Sequence, residues 1–153
     1  MIYHLTPFSL TNFQLHELLM TLALLALALA PAIAIIWFIY TKDEYEREPT
    51  GLLITAFLLG IASIVPALLG GALGESLGYT SSASIGRTAI YAFIIVALSE
   101  ELANFIFLRG YLFGKPDFNE PFDGIVYAVM VGMGFAAFEN VVYVAQGGFE
   151  DGV

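Results

Sequence analysis

Along the chain, long apolar blocks alternate with short polar ones. The apolar blocks cover about residues 14–40, 49–73, 85–113 and 122–145. Each is near or above the roughly 20 residues that a bilayer core requires of a helix. The pattern therefore predicts four spanning helices in an all-α, polytopic membrane bundle, a single membrane domain over 1–153. The intervening segments "TKDEYERE", "GESLGYTSSASIG" and "GKPDFNEP" are charged or turn-rich and read as loops. Pro31 and Pro66 lie inside the first and second blocks. Membrane helices tolerate proline, so a kink rather than an end is expected at Pro31.

Composition strengthens this picture. Of 153 residues, 59% are hydrophobic and 12% charged, about half the charged share of soluble domains. Fourteen acids against five bases give a net charge of −9, which excludes the basic surface that nucleic-acid binding needs. The absence of cysteine excludes disulfides and thiolate metal sites. No Lys or Arg precedes Lys42, so the first block lacks the basic start of a signal peptide and reads as a retained helix.

Lys42, Arg47, Arg109 and Lys115 fall on one face of the predicted topology and Arg87 on the other. The bases thus place loops 41–48 and 114–121 in the cytoplasm and both termini outside. Trp37 and Tyr40 fit an aromatic belt at the cytoplasmic boundary, and "KDEYERE" reads as a solvated loop. Ala56 with Gly60, and Gly70 with Gly74, have the spacing that lets membrane helices approach closely.

Against this apolar background, a few polar side chains stand out. Glu100 and Glu101 sit at the centre of the third block, in "ALSEELANF". An ionisable group at that depth costs about 2.5–3.5 kcal/mol on insertion scales and faces a bundle interior or a water-filled cavity. Asn104 shares their helix face at i+4 and i+3. The fourth block carries Glu139 and Asn140 in "GFAAFENVVY", with Tyr143 one turn beyond Glu139 and able to hydrogen-bond it. In ideal straight helices the two acidic sites differ in depth by up to about 10 Å.

Three carboxylates and two amides could gather in one cavity. Such a group suits general acid–base chemistry, is compatible with a divalent metal, and equally suits a proton or cation pathway. Asp123 opens the fourth block, where an N-cap or first-turn acid is expected. "GMGFAA" at 132–137 matches a dinucleotide-binding pattern but lacks the preceding strand that the pattern requires. His4 and His16 are distant from the acids in sequence.

"SEELANFIFLRGYLF" followed by "EPFDGIVYAVMVGMGFAAFENVVY" resembles the PrsW-type intramembrane proteases, bacterial membrane enzymes grouped with the CAAX prenyl-protein proteases. Their pattern is Glu-Glu-x-x-Lys, an Asp-Gly start of the next helix, and Phe-x-x-x-Glu-Asn. The chain offers Glu100-Glu101-x-x-Asn104, Asp123-Gly124 and Phe135-x-x-x-Glu139-Asn140. "EREPTGLLITAFLLG" at 46–60 resembles the stretch before the family's second conserved helix.

The resemblance implies a peptidase of the bacterial inner membrane. It would hydrolyse a single-span membrane protein, such as an anti-sigma factor, with glutamate-activated water. Glu100, Glu101, Glu139 and Asn140 would be catalytic, with Asn104, Asp123 and Tyr143 supporting the site. A divalent metal such as zinc is compatible with it. The chain carries Asn104 where the family has Lys, and it lacks the family's later His-bearing helix. It therefore reads as a fragment of a longer bundle. The rival readings are a non-catalytic, immunity-like membrane relative and a proton- or cation-conducting element.

Overall fold

The computed structural model describes residues 7–43, 46–80 and 84–147, with side chains from Gln14 onward. The described residues contain helices and no strand. α1 (Pro7–Lys42) is followed by α2 (Thr50–Ala62), α3 (Ile64–Ser76), α4 (Ile85–Ile90), α5 (Leu98–Phe107) and α6 (Asp123–Ala145). Two π-helical stretches, Tyr91–Ala97 and Leu108–Leu112, flank α5 and join α4 and α5 into one rod. Four segments are long and apolar enough to cross a membrane: Gln14–Lys42, Thr50–Ser76, Ile85–Leu112 and Asp123–Ala145. They match the four predicted blocks to within a few residues.

The two inner prolines behave differently. α1 runs through Pro31 without ending. In the second span the helix is interrupted at Ser63, because Pro66 has no N–H to offer the Ala62 carbonyl. The ladder continues on both sides: the Ser63 N–H donates to the Leu59 carbonyl at 2.9 Å, and the Ser63 carbonyl accepts from the Ala67 N–H at 3.1 Å.

α6 is the central element, packed most extensively against α2 and α1, while α5 packs chiefly on α3. Glycines set the α2–α6 distance. A Cβ added at Gly60 would lie 1.9 Å from the Val131 carbonyl oxygen, and one at Gly134 would lie 2.0 Å from that of Phe57. The backbones touch, as small residues permit in membranes, where packing rather than hydrophobicity drives association. Ala56 is fully buried on the same face. Gly70 and Gly74 similarly seat α3 against Ser99 and Ile95. The close approaches read from small-residue spacing are thus present in both pairs. One apolar core joins Ile39, Leu53, Leu112, Val126, Tyr127 and Val131; a smaller one joins Ala67, Ala103 and Phe135.

The first loop departs from the expected solvated loop. Asp43 and Glu48 are only 5% and 6% exposed. The Tyr127 hydroxyl of α6 donates to the Glu48 carboxylate, and the Glu48 N–H donates to Asp43 Oδ2 at 3.1 Å. Asp123, 2% exposed, accepts from the N–H groups of Asn119 and Glu120 at 2.7 and 2.6 Å. It therefore fastens the preceding loop from the first turn of α6. These acids clasp the α1–α2 turn and the 113–122 loop to the start of α6.

Burial, with the Asp123 and Asp43 charges adding to it and the Tyr127 hydrogen bond opposing it, pushes Glu48 up to about 7. On the same boundary, Arg109 lies 4.2 Å over the Phe113 ring and Lys115 lies 4.0 Å over Tyr111.

Two outcomes are expected. Gly60→Ala and Gly134→Ala should lower the unfolding midpoint of the detergent-solubilised protein, in line with about 1–3 kcal/mol for overpacking. Gly71→Ala, whose Cβ would meet open space, should leave the midpoint level or raise it through helix propensity; equal shifts in all three would contradict the contact. The second outcome concerns pH. Folded Glu48 holds its proton up to about 7 and the unfolded group only to 4.5, so its contribution to stability falls as pH rises across that window. The midpoint of wild type relative to Glu48→Gln should decline from pH 4.5 to 7 and level off above, as thermal unfolding at several pH values would reveal.

Candidate active site

The acidic pair stands at the start of α5, directly after the Tyr91–Ala97 π-helical stretch. Such wide turns are rare in helices and frequent at functional sites. Two anchors from the second span hold this region. A Cβ on Gly70 would lie 2.6 Å from Ser99 Oγ, so α3 lies hard against the residue preceding Glu100. One turn beyond, Asn104 Oδ1 lies 2.6 Å from the buried Ser63 Oγ, which also lies 2.6 Å from the Gly60 carbonyl oxygen. One hydroxyl has one proton to donate. Both contacts are satisfied when Oγ–H donates to Gly60 and the Asn104 amide turns its NH2 toward Oγ.

Glu100, Glu101, Asn104 and Glu139 line one cavity of about 390 Å³, walled by apolar residues that include Phe105, Val131 and Phe135. Side-chain direction works against the depth offset expected of straight helices. A helical side chain leans toward its own N-terminus, and the third and fourth spans run antiparallel, so Glu100 and Glu139 lean toward each other. The Tyr143 hydroxyl donates to Glu139 Oε1 at 3.2 Å, as the one-turn spacing suggested.

Two sequence candidates lie elsewhere. Asn140 Nδ2 donates to the Ala28 carbonyl at 2.8 Å, tying α6 to α1. Asp123 belongs to the clasp at the opposite end of α6, sixteen residues from Glu139. His16 is exposed on α1, and His4 lies outside the described residues. Sequence reasoning missed Ser63 and Glu48; a hydroxyl inside the apolar second block and the acid before Pro49 were the available signals.

The metal question can be tested on the donors. Among the described residues, no group of three His, Cys, Asp or Glu side chains is placed to hold an ion. Zinc favours nitrogen and sulfur ligands, and the cavity offers three carboxylates and the Asn104 amide, with no imidazole or thiolate. The described residues do not fit a zinc centre.

Fold and site together define an all-α polytopic membrane protein with a carboxylate cavity between two of its spans. Residues 48–153 match the family described as PrsW family intramembrane metalloprotease, and the chain belongs to that family. It is 32% identical over 133 residues to Protease PrsW of Geobacillus kaustophilus, covering 86% of this chain and 56% of that protein. The Clostridioides difficile Protease PrsW is 33% identical over 126 residues, covering 82% and 52%. That of Bacillus subtilis is 29% identical over 130 residues, covering 84% and 56%. The chain spans about half the length of the curated relatives it matches. No solved structure matches it.

The Ser63–Asn104 pair yields a test. Removing Ser63 strips the half-buried Asn104 amide of its partner, at about 1–3 kcal/mol, whereas Ser63 without Asn104 keeps its bond to the Gly60 carbonyl. Ser63→Ala and Asn104→Leu should each lower the thermal midpoint, and the double variant should be no worse than the weaker single one. Strictly additive losses would show that the two side chains are not coupled.

Proposed function

We propose that this protein is an intramembrane peptidase that cleaves a membrane-protein substrate with water activated by carboxylates of the Glu100–Glu101–Glu139 cavity. The carrying observation is that three acids from two spans line one cavity at a depth where lone charges are costly. Membership of a protease family supports the reading.

One of Glu100 and Glu101, ionised, takes a proton from water as the oxygen attacks the scissile carbonyl carbon. The resulting acid then protonates the departing amine, so the carboxylate is regenerated and one water is consumed per bond cleaved. Glu139, held by Tyr143, positions that water. Asn104 fixes the pair through Ser63, while Asn140 and Asp123 brace α6 from α1 and from its first turn. The substrate class that suits a site within the bilayer is a single-span membrane protein, an anti-sigma factor being one instance. The single membrane domain sits in the bacterial inner membrane with loops 41–48 and 114–121 cytoplasmic; the shared face of Lys42, Arg47, Arg109 and Lys115 supports that orientation.

The test is cleavage of a single-span substrate by Glu100→Gln, Glu101→Gln and Glu139→Gln variants. Loss of a general acid–base group typically removes about 10²–10⁴-fold, and losses in that range with unchanged thermal midpoints are expected. Undiminished cleavage by all three would overturn the reading.

A further inference from the structure

A second cavity, about 630 Å³, lies between α3, α6 and the third span. It shares Glu100, Phe135 and Glu139 with the acid cavity, so those residues border both spaces. At its other end are Glu75, Tyr91 and Gln146. Glu75 is one residue from the end of α3, and Gln146 directly follows α6. The Tyr91 hydroxyl donates to Glu75 Oε1 at 2.8 Å. Gln146 is seven residues from Glu139, about 10 Å along a helix. Polar groups therefore stand at both ends, and Tyr143 stands between them.

Small residues open the space. Gly71 and Ala72 line it, and a Cβ on Gly71 would meet nothing within 4 Å. Its volume accommodates on the order of twenty waters at about 30 Å³ each.

We propose that this second cavity is the water inlet of the acid cavity, opening between the ends of α3 and α6. The proposal rests on the hydrolytic reading above, which requires water at Glu100 and Glu139 within the bilayer. An acid-lined space that reaches the helix ends supplies it without exposing the remaining apolar surface. Water is favoured over a lipid chain because an acyl tail would desolvate Glu75, Glu100 and Glu139 together.

The natural absence of cysteine makes the test clean. Leu68 lines the cavity and Leu69 does not, yet they are 68% and 67% exposed and adjacent in depth. Val142 and Val141 form the same kind of pair on α6. Single-cysteine variants at these four positions are reconstituted in sealed proteoliposomes and treated with a charged, membrane-impermeant methanethiosulfonate. Thr80→Cys and Asp117→Cys mark the two sides.

Because the thiolate is the reacting species, a water-lined cysteine should react at least about tenfold faster than its lipid-facing neighbour. The expected result is fast labelling of Leu68→Cys and Val142→Cys, from the side that labels Thr80→Cys. Equal rates within each pair, or labelling only from the Asp117→Cys side, would overturn the inlet. The readout is independent of cleavage. Loss of the inlet thus leaves the glutamate variants to judge the protease reading, and the reverse holds.

Discussion

The close approach of α2 and α6 at Gly60 and Gly134 is the constraint on which the remaining geometry depends. Each glycine presents its backbone to a carbonyl of the opposite helix at a distance that no side chain permits. This contact fixes the height of α6 against the second span. Glu139, five residues beyond Gly134, inherits that position. Gly60 also supplies the carbonyl that meets Ser63 Oγ, and Ser63 in turn meets Asn104. One contact region therefore sets both walls of the acid cavity, one through the backbone of α6 and the other through a hydroxyl and an amide to α5.

Polar side chains within the spans serve two separate purposes. Ser63, Asn104 and Asn140 engage partners on neighbouring helices, the connections that bilayer proteins use in place of a hydrophobic driving force. Glu100, Glu101 and Glu139 instead face a shared space. Asn104, where the family pattern has lysine, belongs to the first group and borders the second. Its contact with Ser63 gives the uncharged residue a role that needs no positive charge. Asp43, Glu48, Asp123 and Tyr127 form a clasp at the opposite end of α6 that holds the loops.

Much of this arrangement was legible in the residues. The four spans followed from block length, and the close approaches at Gly60, Gly70 and Gly74 from four-residue spacing, while that at Gly134 was not read. The association of Glu100, Glu101, Asn104 and Glu139 followed from the difficulty of leaving such groups in lipid. What was not legible depended on partners distant in sequence. Glu48 looked like one acid of a charged loop until Tyr127, 79 residues on, covered it. Asn140 gave no sign in sequence of its partner 112 residues away, the Ala28 carbonyl; a step of one residue from Glu139 turns the side chain about 100° around the helix. The π-helical stretch before Glu100 has no local sequence signature; its Ile95 packs against Gly74, distant in sequence.

The central claim is that the space between α5 and α6 is the reaction chamber. Gly132 lines it, and an added Cβ there meets nothing within 4 Å, so a Gly132→Phe side chain starts into the chamber from a position clear of the neighbouring helices. Cleavage of a single-span substrate is the measurement, with Gly51→Phe on an open surface as the matched control. Loss of cleavage in Gly132→Phe alone, at an unchanged thermal midpoint, is the expected result; full activity with the chamber filled would contradict the account.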